Sequence, residues 1–183
     1  MTVMVRMNLP TWVTVSRLLA IPPILYGLQT PTETTRWWMV GIFLLAAGTD
    51  WVDGYLARRL NQVTDLGKFL DPLVDKLLVL APLLALVELG IVPAWGVFLI
   101  LARELTIAGW RVNPSLQGSI SGANLWGKLK TVMQIIAIAL LLAPLPTVWY
   151  PWAMLTFWLS VALTLISGWL YLRPNPAVDV ANQ

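Results

Sequence analysis

The chain carries no charged residue between Thr131 and Leu172, a stretch twice as long as one membrane-spanning helix needs. Over the whole chain 58% of residues are hydrophobic and only 11% are charged, whereas soluble domains carry about 25% charged residues. The 183 residues provide room for about six spans at roughly 20 residues each, with short loops. We therefore predict an all-α integral membrane protein built as a six-transmembrane-helix bundle.

Polar and turn-forming segments divide the chain into six apolar stretches. The predicted spans cover residues 11–28, 37–60, 67–89, 94–112, 125–143 and 152–172. We expect one transmembrane domain over residues 1–183, with residues 1–10 as an interfacial lead-in and residues 174–183 as a cytoplasmic tail. No large soluble domain fits, so any chemistry must take place in the bundle or at its surface.

The basic residues predict the orientation of the bundle. If both termini face the cytoplasm, eleven of the twelve basic residues lie at or near that side, and Arg36 alone falls opposite. This distribution agrees with the positive-inside rule. We therefore expect a bacterial-type cytoplasmic (inner) membrane protein with both termini and any polar site on the cytoplasmic face.

The residue types that are absent narrow the chemistry. The sequence contains neither cysteine nor histidine, which excludes disulfides, thiolate chemistry, histidine bases and histidine metal ligands. Aspartate and glutamate remain as the strong candidates for acid–base catalysis and metal binding.

One carboxylate-rich motif lies at the predicted cytoplasmic ends of spans 2 and 3. Its residues are Asp50, Asp53, Gly54, Ala57, Arg58, Gly67, Asp71 and Asp75, in the pattern D-x2-D-G-x2-A-R-x8-G-x3-D-x3-D. The aspartates are three apart in one span and four apart in the next, so each pair shares a helix face. A short loop makes the two spans antiparallel neighbours. The four carboxylates can therefore converge.

Converging carboxylates repel one another unless cations offset their charge. Oxygen-only ligands favour Mg²⁺, Mn²⁺ or Ca²⁺, and two such ions can clamp a pyrophosphate. Gly54, Ala57 and Gly67 leave room for a bulky ligand, and Arg58 can bind phosphate oxygens. The alternative is that these Asp and Arg residues form ordinary ion pairs at helix ends. That alternative explains a single pair well, but it explains a fixed pattern of this length poorly.

This pattern is the signature of the CDP-alcohol phosphatidyltransferases, and the chain resembles that family at every signature position. The resemblance implies a six-helix membrane fold, a homodimer, and transfer of a phosphatidyl group from CDP-diacylglycerol to an alcohol with release of CMP. It implies two Mg²⁺ or Mn²⁺ ions per site, bound by Asp50, Asp53, Asp71 and Asp75, with Asp75 also as general base. It further implies contacts to the CDP moiety from Asp53, Gly54, Ala57, Arg58 and Gly67.

The acceptor alcohol is suggested by other segments. MNLPTWVTVSRLLAIP, LGKFLDPLVDKLLVLAPLLAL, ARELTI and GKLKTVMQ are similar to bacterial phosphatidylglycerophosphate synthases, which implies sn-glycerol 3-phosphate as acceptor. Such a dianion needs basic groups, and the candidates at the cytoplasmic ends of spans 4 and 5 are Arg103, Arg111, Lys128 and Lys130. Arg111 is the best single candidate. Lys128 and Lys130 diverge by about 200° on a helix, so we expect one of them to reach the phosphate.

Several alternatives remain open at this point. Serine, inositol phosphate or phosphatidylglycerol can replace the acceptor within the family, and an ion or proton transporter is a remote alternative from another class. Arg103 and Glu104 can instead form a structural ion pair. Arg17 can pair with the acidic cluster or bind lipid phosphate.

Overall fold

A computed structural model of the protein describes the backbone of residues 9–60, 65–112 and 125–172, and the side chains of residues 15–49, 72–110 and 125–172. Its regular elements, all helical, are α1 (Leu9–Gln29), α2 (Glu33–Leu60), α3 (Asp65–Glu88), α4 (Ala94–Val112), α5 (Leu125–Leu142) and α6 (Tyr150–Leu172), with a 3₁₀ turn at Thr147–Trp149. The predicted all-helical architecture with six helices is confirmed for these residues.

The helices fall into two compact units, which we describe separately. The first unit comprises Met1–Leu86 together with Leu142–Pro144, and therefore holds α1, α2 and most of α3. The second unit comprises Val87–Leu141 together with Leu145–Gln183, and holds α4, α5 and α6.

The start of α2 differs from the sequence prediction by one helical turn. We expected the span to begin at residue 37, but α2 begins at Glu33. Thr32 and Thr35 cap it reciprocally, since the Thr35 backbone N–H donates to Thr32 Oγ1 over 3.2 Å and the Thr32 N–H donates to Thr35 Oγ1 over 2.7 Å. Two otherwise unsatisfied backbone donors are thereby bonded, which allows the helix to start inside the polar segment.

In the first unit α1 packs against α2 along an apolar seam. Ile24 of α1 and Phe43 of α2 are both fully buried. A Cβ atom built at Gly27 would lie 2.6 Å from Met39 Sδ, so the Met39 side chain of α2 packs directly against the α1 backbone at this glycine. Small residues permit such close contact between apolar helices.

A long-range polar contact also belongs to the first unit. Arg36, in the first turn of α2, donates from Nε to the Leu142 carbonyl over 2.8 Å and from Nη2 to the Ala143 carbonyl over 3.4 Å. These carbonyls lie at the carboxyl end of α5, where helical acceptors lack intrahelical donors. Arg36 therefore bonds α2 to the segment Leu142–Pro144, which belongs to the same unit.

In the second unit α4 packs against α6. Phe157 is fully buried, and a Cβ atom at Gly96 would lie 2.8 Å from its ring. The rings of Trp95 and Trp158 have centroids 4.5 Å apart, and Tyr150 Oη donates to the Ile91 carbonyl over 2.8 Å. Aromatic contacts thus fix the beginning of both helices.

The turn predicted for residues 90–93 is confirmed. The helix α3 ends at Glu88, and Gly90 has a φ of 68°, the left-handed conformation that glycine adopts without strain. Its N–H donates to the Val87 carbonyl over 2.9 Å. The predicted limits of the fourth span coincide with α4, Ala94–Val112.

Two of the described segments, Leu125–Leu142 and Thr147–Leu172, are long and apolar enough to cross a membrane. Large apolar side chains are also exposed in both units, among them Leu19, Leu45, Phe98 and Trp169. Side chains of this kind are costly in water but not in lipid.

Candidate active site

The signature residues lie on two helices. Asp50, Asp53, Gly54, Ala57 and Arg58 belong to the last third of α2, and Gly67, Asp71 and Asp75 belong to the first half of α3. Both helices are continuous through these positions, so the spacing on which the prediction depends is helical in both. The side chains from Asp50 through Asp71 lie outside the described side chains, and Asp75 is the motif residue whose contacts are described.

Asp75 forms an ion pair with Arg17 of α1. The distance from Arg17 Nη1 to Asp75 Oδ1 is 2.5 Å. The Arg17 side chain is only 2% exposed, whereas the Asp75 side chain is 43% exposed. The guanidinium is therefore a buried support, and the carboxylate it orients remains accessible from outside the unit. Of the two alternatives for Arg17, the structure shows pairing with the acidic motif.

Among the described side chains, no group of three or more potential metal ligands comes together. Asp50, Asp53 and Asp71 are not among those side chains. The donor set nevertheless fits a hard divalent cation, because it offers only carboxylate oxygens and its described member, Asp75, is accessible.

The second unit contains a cluster of charged side chains built on α4 and α5. Arg103 Nη1 donates to Glu104 Oε1 over 3.1 Å, and Lys130 Nζ donates to the same oxygen. All three side chains are largely buried, with 12%, 17% and 10% of their surface exposed for Arg103, Glu104 and Lys130. One carboxylate oxygen is thus shared by two cations.

The helix α6 adds a partner to this cluster. Arg103 Nη2 donates to Ser167 Oγ over 3.0 Å. Sequence reasoning did not identify Ser167, although a serine in a stretch without charges was a signal for an inward-facing polar contact. Arg103 was expected at the cytoplasmic end of its span, but it lies midway along α4, where Glu104 accepts a hydrogen bond from its Nη1 and Ser167 from its Nη2.

The two lysines of α5 diverge as their spacing predicts. Lys130 is buried and bonded to Glu104, whereas Lys128 is exposed. The side chain of Arg111, the preferred candidate for the acceptor phosphate, lies outside the described side chains. The structure therefore brings Arg103 and Lys130 together through Glu104, and it does not bring Lys128 to them.

The chain is similar to known proteins along nearly its whole length. The CDP-alcohol phosphatidyltransferase family matches residues 7–166. The CDP-diacylglycerol–glycerol-3-phosphate 3-phosphatidyltransferase of Bacillus subtilis (strain 168) is 42% identical and the alignment covers 92% of this chain and 95% of the relative. The enzymes of the same name from Pseudomonas fluorescens and Escherichia coli (strain K12) are 37% and 35% identical, over 91% and 97% of this chain and 85% and 100% of the relatives. The chain belongs to the CDP-alcohol phosphatidyltransferase family.

Proposed function

We propose that the protein transfers the phosphatidyl group from CDP-diacylglycerol to sn-glycerol 3-phosphate, giving phosphatidylglycerophosphate and CMP. The observation that carries this proposal is the similarity along nearly the whole chain to relatives that bear the name of that activity. The complete signature on α2 and α3 supports the phosphatidyl-transfer step.

The reaction forms one bond and breaks one at the same phosphorus atom. The acceptor hydroxyl oxygen bonds to the β-phosphorus of CDP-diacylglycerol, and the bond from that phosphorus to the CMP oxygen breaks. The Asp75 carboxylate takes the hydroxyl proton, and its accessible position next to a buried arginine supports this role. Arg17 keeps the carboxylate in place by a charge-assisted hydrogen bond.

Members of this family typically use divalent metal ions. Asp50, Asp53, Asp71 and Asp75 would hold two Mg²⁺ or Mn²⁺ ions, which would supply charge stabilisation for the pyrophosphate when bound. Asp53, Gly54, Ala57, Arg58 and Gly67 would bind the CDP moiety, since glycine and alanine leave space beside the helix backbone and arginine pairs with phosphate.

The acceptor phosphate would be bound by cations of α4 and α5. Arg103 and Lys130 are two cations that contact the same carboxylate oxygen, and neighbouring cations attract a dianionic ligand. Arg111 at the end of α4 and the exposed Lys128 complete the candidate set. A zwitterionic acceptor such as serine needs less positive charge than this cluster carries.

We further infer a homodimer in a bacterial-type cytoplasmic membrane, with all six helices crossing the bilayer as a single domain and both termini in the cytoplasm. The membrane-embedded family and two helices that meet the length and hydropathy of a span support this arrangement. Exposed tryptophans support it as well, because Trp37 and Trp38 near the start of α2, and Trp149 and Trp152 around the start of α6, are at positions expected for an interfacial belt.

One assay tests the proposed activity. The purified protein in detergent is given CDP-diacylglycerol and Mg²⁺ or Mn²⁺, and CMP release is measured with glycerol 3-phosphate, inositol 1-phosphate, phosphatidylglycerol or serine offered separately. We expect release with glycerol 3-phosphate. Release with another acceptor alone contradicts the proposed substrate, and no release with any acceptor contradicts the transferase assignment and favours the remote transporter alternative.

A further inference from the structure

The helix α6 has a buried polar edge that the proposed mechanism does not use. Ser160, Thr164 and Ser167 are 1%, 0% and 4% exposed, and the hydroxyl of each donates to a carbonyl of the same helix. These internal bonds use the hydroxyl donors and leave the hydroxyl oxygens able to accept hydrogen bonds. The oxygens of two of them also accept hydrogen bonds from neighbouring helices.

The first of these bonds connects α6 to α4. Ser167 Oγ accepts from Arg103 Nη2 over 3.0 Å. The adjacent residue, Gly168, makes room for the same side chain, because a Cβ atom at this position would lie 2.8 Å from Arg103 Cγ and 3.1 Å from Arg103 Nε. Arg103 therefore crosses α6 directly over a glycine, and its course depends on the absence of a side chain there.

The second bond connects α6 to α5. Thr164 Oγ1 accepts from Gln134 Nε2 over 3.0 Å, and both side chains are buried. Gln134 lies four residues after Lys130 and therefore on the same side of α5. Through Arg103 and Gln134, α6 thus holds both of the helices that carry the charged cluster.

We propose that Ser167 and Gly168 are positioning residues for the acceptor phosphate. They fix the course of Arg103, Arg103 orients Glu104, and Glu104 orients the ammonium group of Lys130. The inference rests on the proposed function, since it assumes that the cations of this cluster bind the phosphate of the acceptor. Charge-assisted bonds to phosphate depend on the donor geometry, so a displaced cluster weakens acceptor binding.

The substitution Gly168→Ala tests the close approach. We expect the KM for glycerol 3-phosphate to rise about tenfold, with the KM for CDP-diacylglycerol and kcat within about twofold of wild type, because the change displaces groups that bind only the acceptor. Gly41→Ala is the matched control, since a Cβ at that helical glycine meets nothing within 4 Å. It should leave all three constants unchanged.

The serine is tested in the same assay. Ser167→Ala removes the acceptor for Arg103 Nη2, and we expect a rise of about threefold in the same KM, smaller than that of the glycine variant because Glu104 still holds Arg103. Ser167→Thr retains the hydroxyl and should lie closer to wild type.

The outcomes separate this inference from the proposed function. An inactive wild-type protein overturns the proposed function. An active wild type together with an unchanged acceptor KM in Gly168→Ala overturns the positioning role alone. Equal losses for both substrates, or a fall in kcat alone, also overturn it, because they indicate a general disturbance of the bundle. If the alanine variant fails to fold, Ser167→Ala against Ser167→Thr decides the question.

Discussion

The two charged sites of the molecule are built in opposite ways. In the first unit a buried cation, Arg17, supports one carboxylate that remains 43% exposed. In the second unit a largely buried carboxylate, Glu104, is shared by Arg103 and Lys130. The first arrangement leaves a negative group accessible, which suits metal ions and proton transfer. The second brings two cations to one carboxylate oxygen, and neighbouring cations suit an anion. In each site the supporting charge is largely buried and has the same sign as the proposed ligand, because it holds the oppositely charged group that would bind that ligand.

The proposed role of the exposed carboxylate in the first site is tested most directly by a substitution of Asp75. Asp75→Asn should reduce kcat by about 10⁴-fold, the upper end of the range for a general base, because the residue is also a proposed metal ligand. CMP release under saturating substrates measures this. Glu33→Gln, at the exposed start of α2, is the matched control and should retain wild-type turnover. Near-normal turnover of the asparagine variant would contradict the base assignment.

Removal of the shared carboxylate in the second site should chiefly lower the free energy of unfolding. Glu104→Gln leaves Arg103 and Lys130 close together without their carboxylate, and removal of one partner from a buried ion pair costs about 3–5 kcal/mol. Denaturant titration in detergent should show this loss. Glu88→Gln, at an exposed glutamate, should show none. Adding Lys130→Met to Glu104→Gln should recover part of the stability; no recovery would mean that charge repulsion is not the cause.

Substitutions of Arg17 test whether this residue orients the Asp75 carboxylate. Arg17→Met removes a charge-assisted bond worth about 1.5–3 kcal/mol, so we expect kcat to fall about ten- to a hundredfold, less than in Asp75→Asn. Arg17→Lys retains the charge and should lose less. If Arg17→Met has wild-type kcat, the ion pair does not orient the catalytic carboxylate.

The smallest expected effect is a difference between the two lysines of α5 in the KM for glycerol 3-phosphate. Lys130→Met is expected to raise the KM for glycerol 3-phosphate about tenfold, the loss of one charge-assisted bond to phosphate. Lys128→Met, at an exposed position, should change it by less than about twofold. The reverse order would assign the acceptor phosphate to the exposed lysine.

Much of the helical pattern follows from the sequence because its limits are local. The ends of α4 match the prediction at both residues, since Pro93 precedes it and Asn113–Pro114 follows it. The predicted start of α2 lies four residues too late. Thr32 and Thr35 cap one another there, whereas the usual sequence signature of such a reciprocal cap is a serine or threonine followed by a glutamate.

The candidate site also has a part that can be predicted from the sequence and a part that cannot. The aspartate motif is visible because its spacing is periodic within two adjacent helices. The sequence offers Arg17 as a partner of the acidic cluster but does not choose between this and lipid phosphate, since Arg17 is 58 residues from Asp75 and only packing selects the pair. Packing also selects Ser167, which is 64 residues from Arg103. Long-range pairs of this kind depend on how helices pack, which spacing along one helix does not determine.

The contact of Arg36 with Leu142 and Ala143 also sets an order of assembly. Its acceptor at Leu142 is 106 residues further along the chain, and a protein is synthesised from its amino terminus. The bonds from the guanidinium to Leu142 and Ala143 can therefore form only after the ribosome has produced these residues. The first unit acquires these two contacts only when more than three quarters of the polypeptide exists, so truncation before Leu142 should remove both of them.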